Sequence, residues 1–405
     1  MSKNKVIGLS KDERAPLIYN PVTKESFDGL KHFTTTKAEI NAWSVTNSYK
    51  SEYIPIKKET DKSLEETYNA FIEQADKLKK QSRGKINLYK SGTLQKASLA
   101  LFFFHANKLK IVPEPLTELE TKWLINTNHG QMVYKDKTKD LKDLHSYDIN
   151  SMYASLLRNV YFKIPIKQGT FMKLTRAEFY EAKFYKYGIY RVEIENDGKP
   201  NTRKMFRFNH NNYYTTTDLN MATKLKLKIN LMENEEFNFL SYGKGTTTTG
   251  SVLFKSFVDM LYKMRMEHKN NDFKKILNLL WGTLCSTNIH TFQYDITKDL
   301  DVNINLDSDR HIILNQFFVR ENIFKLEYCK KNDYFKYAYA RMKCFILAYG
   351  RKKITEIIEP YLDNIVALNC DGFKSRVELT EIELGDGIGQ LRYEGLMPEN
   401  RFKNT

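Results

Sequence analysis

The chain of 405 residues is short of cysteine (four) and proline (nine), and it has no long hydrophobic run. Cys285, Cys329, Cys344 and Cys370 are scattered, with no CxxC and no Cys/His spacing. That argues against a zinc site and a disulfide framework, and it fits a reducing compartment. The longest apolar stretch, Leu99 to Ala106, is broken by His105. It falls far below the roughly 18 residues that a membrane span requires. The opening residues, MSKNKVIGLSKDER, hold no apolar segment of a secretory signal. HExxH, GxSxG and GxxxxGK[ST] are all absent, so zincin, serine-hydrolase and P-loop chemistries lose their best signals.

What is present is basic and able to fold. Hydrophobic residues make up 41% and charged residues 28%, enough apolar material for a packed interior. The net charge of +15 favours polyanionic partners. Residues 1 to about 60 are polar, with a turn signal at Asn20-Pro21. Apolar residues at three- and four-residue spacing predict helices over 63–80, 93–108 and 116–127. Beyond about residue 130, strand patterns (188–195, 204–208, 237–242) alternate with helical ones (148–159, 217–227, 253–268, 272–284). Residues 289–333 read as polar and mixed. A long helix is expected over 334–361, then strands at 364–369, 373–377 and 391–393. The whole reads as α+β or mixed α/β, with a boundary near 115 to 140.

Three constellations carry chemistry. In Asp148-Ile149-Asn150-Ser151-Met152-Tyr153 a carboxylate ends a strand and a helix starts at once. Such an Asp can hold a divalent ion, and the first helical N–H groups can meet phosphate oxygens; it can equally be a helix N-cap. In Lys274-Lys275-Ile276-Leu277-Asn278-Leu279-Leu280-Trp281-Gly282, Lys274 and Asn278 share a helix face and Gly282 extends it. That face suits a phosphate and a base, or is simply the solvated side of an amphipathic helix. In Ile365-Val366-Ala367-Leu368-Asn369-Cys370-Asp371-Gly372, an apolar strand runs into Asp-Gly. This is a hairpin signal, and it is also a way to bring a second metal ligand beside Asp148.

The order of the three resembles motifs A, B and C of family B DNA polymerases, whose usual forms are DxxSLYP, KxxxNSxYG and DTD or TDG. The separations, 130 residues from Asp148 to Asn278 and 93 from Asn278 to Asp371, are similar to those of the protein-primed branch of phages, viruses and linear plasmids. Phe254-Lys255-Ser256-Phe257-Val258-Asp259 resembles the segment that opens the fingers helix pair. Asn128-His129-Gly130-Gln131 is a poor match to the YxGG-type element upstream of motif A, and Leu391-Arg392-Tyr393 occupies the place of the KxY element, with Arg next to the expected Lys position. The likeness covers roughly residues 125–395. Trp281 replaces a tyrosine in motif B, and Asn369 stands where DTD has its first carboxylate. No DxE pair of the proofreading type occurs before Asn128, so no 3′→5′ exonuclease activity is expected. Twelve residues follow Tyr393, few for a thumb.

The resemblance implies an α+β fold, with a palm of antiparallel sheet and helices, helical fingers and a mostly helical N-terminal region. The expected divisions are 1–127 (N-terminal region with a reduced or absent exonuclease domain), 128–240 (palm with an insertion between motifs A and B), 241–290 (fingers) and 291–405 (palm with motif C and a vestigial thumb). It implies a DNA-directed DNA polymerase that uses two Mg²⁺ or Mn²⁺ ions held by Asp148 and Asp371. Ser151, Met152, Tyr153, Arg265, Lys274 and Asn278 are the implied nucleotide contacts, with Tyr153 against the deoxyribose. Trp281, Gly282, Arg392 and Tyr393 are the implied DNA contacts. The partners implied are template, primer, deoxynucleotides and, in this branch, a terminal-protein primer, with no membrane and a host-cytoplasmic location for a viral enzyme. The alternative is a non-catalytic nucleic-acid-binding protein that retains a degenerate palm.

Overall fold

The structure is a computed structural model that describes residues 7–9, 17–19, 26–28, 54–56, 64–136, 143–295, 297 and 309–397. The Asn20-Pro21 turn lies outside these residues. The chain divides into two compact units, residues 1–108 with 259–280, and residues 109–258 with 281–405. The division is therefore interleaved, and no single cut near residue 127 reproduces it.

In the first unit, helices Leu64–Gln81 and Leu94–Leu109 form where the apolar spacing predicts them. Phe71, Ala75, Leu78, Leu101 and Phe102 are buried, as are Leu261, Phe273, Ile276 and Leu277. Polar ties join the two segments of this unit. Ser98 Oγ donates to the Ile276 carbonyl at 2.7 Å, and Asn270 Nδ2 to Gln81 Oε1 at 2.7 Å. The described residues before residue 57 are four short strands in the order 26–28, 17–19, 7–9, 54–56, rather than helices.

The second unit is built on a five-stranded antiparallel sheet. Its order is Leu391–Met397, Leu144–Ile149, Gly372–Ser375, Ile365–Asn369, Val133–Lys135. The helix Met342–Ile358 is buried along much of its length, through Phe345, Ile346, Ala348, Ile354 and Ile358 among others. It is shorter than the expected 334–361: Ala338–Arg341 before it is a 3₁₀ turn, and at the other end Pro360 cannot continue an α-helix and Glu359–Tyr361 tightens to a 3₁₀ turn. Between motifs A and B, strands Thr170–Met172, Gly188–Ile194, Tyr213–Thr215, Ile229–Leu231 and Phe239–Ser241 form a second sheet with its own core. The strand expected at 204–208 does not form: residues 206–208 are irregular, and 204–205 end a helix, Pro200–Met205. Pro200 opens it, where a missing N–H costs nothing, and Lys204 is drawn inward to donate to the Leu362 carbonyl at 2.6 Å. The polar stretch 289–333 holds a three-stranded antiparallel sheet, in the order His290–Asp295, Ile323–Lys330, His311–Arg320.

Two buried arginines tie this unit together. Arg341, 0% exposed, forks onto Glu120, 1% exposed, with Nε–Oε1 at 2.8 Å and Nη2–Oε2 at 2.7 Å. It also donates to the Glu114 and Pro115 carbonyls, and Tyr242 Oη donates to Glu120 Oε1 at 2.8 Å. Arg351 pairs with Asp218 at 2.7 Å and donates to the Gly130 carbonyl. Burial would raise the Asp218 carboxyl, but the Arg351 guanidinium beside it holds it below the usual carboxylate range. His129 is buried beside this pair, with Nε2 4.0 Å from Asp218 Oδ1. Its Nδ1 lies 2.8 Å from the Thr127 carbonyl and so carries the proton, while Nε2 has no hydrogen-bond partner among the described residues. Burial pushes the imidazole down to about 4.

Two outcomes follow from these groups. Glu120→Leu strands the Arg341 charge and is expected to lower unfolding free energy by about 3–5 kcal/mol, while Glu120→Leu with Arg341→Met recovers much of the loss. Urea denaturation of the three proteins checks this; additive losses would contradict it. For His129 the folded value lies below the unfolded one, so the folded state resists protonation. Stability is complete above about pH 6.5 and is lost as pH falls from there towards 4, by roughly 2–3 kcal/mol. Thermal melts from pH 4 to 7 should show that slope flattened in His129→Asn.

Candidate active site

The site grows from one register. Strand Leu144–Ile149 ends in Asp148-Ile149 because its pattern of buried and half-buried residues places Leu144, Ser146, Tyr147 and Ile149 in contact with the interior. Gly372 lies directly opposite Asp148, and Arg392 pairs with Asp148 from the other side. The reversal between Ile365–Asn369 and Gly372–Ser375 has Cys370 and Asp371 at its tip, with Asn369 opposite Gly372. The Asp-Gly pair thus does not form the turn; Gly372 is the first strand residue. A Cβ there would lie 2.9 Å from the Tyr147 carbonyl and 3.5 Å from Asp148 Oδ1. The strands close tightly because residue 372 has no side chain. The Ile149 N–H then donates to the Asp371 carbonyl at 2.8 Å. Both carboxylate residues are half-buried.

Two non-glycine residues in the left-handed region adjoin the carboxylates, Ser151 (φ 51°) and Cys370 (φ 60°). Each costs about 1–2 kcal/mol of backbone strain. Each makes a backbone bond: the Cys370 N–H donates to the Met132 carbonyl at 2.9 Å, and the Ser151 carbonyl accepts from the Ser155 N–H at 3.0 Å. After Ser151 the helix Met152–Leu157 is six residues long. Met152 is fully buried, so it belongs to the core.

Tyr153 is mostly enclosed. Its ring lies 4.8 Å from that of Trp281, tilted by 34°. A Cβ on Gly350 would come within 3.0 Å of its ring edge and 3.1 Å of its hydroxyl. The hydroxyl is hydrogen-bonded to Gln131, and burial pushes its ionisation well up. Tyr153 therefore stays a neutral phenol.

The two faces of the sheet differ in chemistry. Residues opposite one another in an antiparallel pair share a face, so Asp148, Gly372 and Arg392 point one way with Ser146 and Lys374. On this face Lys374 Nζ donates to Ser146 Oγ, Ser146 Oγ lies 3.3 Å from Glu394 Oε2, and Arg392 pairs with Glu394 at 2.8 Å. Lys374 is half-buried; burial pushes its pKa down, against Glu394 and Asp148. On the other face Tyr147 stacks on Phe373 at 4.9 Å and packs on Tyr393 at 5.1 Å. The Tyr393 hydroxyl meets His145 Nδ1 at 2.8 Å. The structure thus brings Asp148, Asp371, Tyr153, Trp281 and Arg392 into one unit and turns Tyr393 away from the carboxylate face.

Arg265 and Lys274 belong to the first unit and are half-buried on helices Gly250–His268 and Asn271–Leu284. Asn278 and Gly282 are exposed on the latter helix. The sequence reading missed Lys374, Glu394 and the side chain of Gln131. For Lys374 the signal was available, since it stands two residues after Gly372 in a strand of period two.

No group of three His, Cys, Asp or Glu side chains is placed to hold a metal among the described residues. Two half-buried carboxylates, one at a strand end and one at the tip of the neighbouring hairpin, fit Mg²⁺ nonetheless, because that ion keeps several waters and takes one or two carboxylates plus substrate phosphates. No helix among the described residues is long and apolar enough to cross a membrane.

Comparison with known proteins gives the lineage. Among curated proteins no relative matches. Solved structures of phi29 DNA polymerase do. The complex with primer-template DNA has a TM-score of 0.53 at 16% identity, covering 84% of this chain and 59% of that one. The complex with primer-template DNA and incoming nucleotides has a TM-score of 0.52 at 17% identity, covering 82% and 56%. The complex with single-stranded DNA has a TM-score of 0.50 at 17% identity, covering 76% and 53%. At such identity the likeness concerns the fold, and this chain spans a little over half the length of the phi29 enzyme. The family model for type B DNA polymerases, organellar and viral, matches residues 59–363, about three quarters of the chain, and the chain belongs to that family.

Proposed function

We propose that this protein is a template-directed DNA polymerase that adds deoxynucleotides to a 3′-hydroxyl, or to the hydroxyl of a protein primer, in replicating a viral or plasmid genome. The observation that carries the reading is the register of Gly372 against Asp148. It sets the hairpin tip with Asp371 beside Asp148 in a chain whose motifs follow the family B order.

In the reaction, the primer hydroxyl oxygen bonds to the α-phosphorus, the bond to the bridging oxygen breaks, and pyrophosphate leaves. Asp148 and Asp371 would hold the two divalent ions, which stabilise the attacking and leaving oxygens when bound. The motif order gives Arg265 and Lys274 the triphosphate, and Asn278, Trp281 and Gly282 the nascent base pair. The motif order sets Ser151 and Met152 beside the nucleotide, where Met152, fully buried, would support the site from the core. Tyr153, a neutral ring fixed on one side by Trp281, would fill the volume a 2′-hydroxyl needs. Arg392, on the face of Asp148, suits the primer phosphate; Tyr393 supports that strand from behind. The excess of 64 Lys and Arg over 49 Asp and Glu suits a DNA partner. A non-catalytic DNA-binding role is favoured by one feature, the single carboxylate of motif C. It would leave the wild-type protein unable to extend a primer with Mg²⁺ or Mn²⁺.

Asp148→Asn and Asp371→Asn should each abolish nucleotide incorporation in primer extension while leaving DNA affinity, read by a gel-shift titration, largely unchanged. Extension at the wild-type rate by either variant would refute the metal assignment. Tyr153→Ala should narrow the preference for deoxyribonucleotides over ribonucleotides by roughly 10- to 200-fold. The ratio of kcat/KM values checks it. A destabilised Tyr153→Ala with unaltered sugar preference would make Tyr153 a core aromatic only.

A further inference from the structure

Tyr153 is held on three sides, and the third is unexplained by packing. Trp281 lies against the ring, and Gly350 leaves room for its edge and hydroxyl. The hydroxyl itself is tied to Gln131. The other end of the same amide is also occupied, because the Cys370 thiol donates to Gln131 Oε1. With its oxygen accepting from Cys370, Gln131 has its Nε2 group to donate to the Tyr153 oxygen. Cys370 is the strained residue of the hairpin tip, immediately before Asp371. A continuous chain of hydrogen bonds therefore runs from the tip through Gln131 to the ring. At the YxGG-type element a glycine at this position would have no side chain to form it.

We infer that Gln131 and Cys370 are positioning residues that latch the Tyr153 ring to the Asp371 turn, and that this latch sets how strictly the site rejects a ribose. The inference rests on the polymerase reading of the same site. Neither side chain touches the sugar. A phenol ring rotates about two soft torsions; Trp281 restrains one face and Gly350 lies against the edge and hydroxyl, but neither bonds the hydroxyl. A tip free to move by a fraction of an ångström opens the volume that excludes a 2′-hydroxyl, and displacements of that size weigh heavily in enzyme selectivity. Because Cys370 shares the turn with Asp371, the ring and the carboxylate are referenced to the same few backbone atoms.

The test is steady-state incorporation of a matched deoxyribonucleotide and the corresponding ribonucleotide. The proteins are the full-length wild type, Gln131→Leu, Cys370→Ala, Cys370→Ser, Tyr153→Ala and Tyr153→Ala with Gln131→Leu. Melting temperatures are recorded alongside. Gln131→Leu keeps the side-chain volume and loses both hydrogen bonds. It should reduce discrimination by about 5- to 20-fold, chiefly through a lower KM for the ribonucleotide. Cys370→Ala should shift discrimination in the same direction, and Cys370→Ser, which keeps a donor, should restore it. The double variant should discriminate no worse than Tyr153→Ala, since Gln131 acts through that ring. A folded Gln131→Leu with wild-type discrimination would overturn the inference. So would equal losses for both sugars, which would mark a structural role, or additivity with Tyr153→Ala. Failure of the wild type to extend a primer would remove the polymerase reading, and the latch with it. An active, selective wild type beside an equally selective Gln131→Leu would remove the latch alone.

Discussion

The register that sets Gly372 opposite Asp148 governs the candidate site, and it tolerates no side chain at residue 372. With a Cβ only 2.9 Å from the Tyr147 carbonyl, the strands would have to separate. The Ile149 to Asp371 hydrogen bond would lengthen, and the turn would leave Asp148. A slip of one residue would do worse, because side chains alternate with a period of two. Asp148, Lys374 and Arg392 would exchange places with Tyr147, Phe373 and Tyr393. A charged face and an aromatic face follow from this one alignment. The aromatic stack behind the sheet holds it, since Tyr147, Phe373 and Tyr393 pack only in this register.

Around that sheet, helix Met342–Ile358 acts as the organising rod. Arg341 at its start reaches Glu120 and the carbonyls of 114–115. Arg351, nearly three turns on, reaches Asp218 and the Gly130 carbonyl. Two guanidiniums thereby pin three distant parts of the chain to one helix. A buried ion pair is not a stabilising feature against an apolar replacement. It does demand both partners, and so it specifies which segments meet. The pinning of Gly130 brings Gln131 to Tyr153, and Gly350 on the same helix accommodates the ring. Helix, loop and the Tyr153 ring form one mechanical unit with the hairpin tip.

The charged face is a chain of polar contacts rather than isolated ions. Lys374, Ser146, Glu394 and Arg392 are linked in sequence beside Asp148. A half-buried lysine there offsets some of the negative charge that two carboxylates concentrate.

The sequence by itself determined the elements whose signal is local. Helices Leu64–Gln81, Leu94–Leu109 and Asn271–Leu284 announce themselves by apolar spacing, and the strand ending at Asp148 and the one ending at Asn369 by apolar runs before a polar break. The order of three short motifs carried the family. What only the tertiary structure decided depends on partners far apart in the chain. Four separate segments, 133–135, 144–149, 365–375 and 391–397, had to be assembled before Arg392 and Tyr393 could be told apart by face. The polar stretch 289–333 hid a three-stranded sheet, because strands largely exposed on both faces lack an alternating pattern. Residues 204–208 read as a strand because Met205 and Phe206 are apolar, yet a helix opened by Pro200 runs through Lys204 and Met205, and 206–208 are irregular. The value of Arg341, Arg351, Gln131 and Lys374 was likewise invisible. A charged or amide side chain has no periodicity that reveals burial, and its partner is set by the fold rather than by its neighbours in sequence.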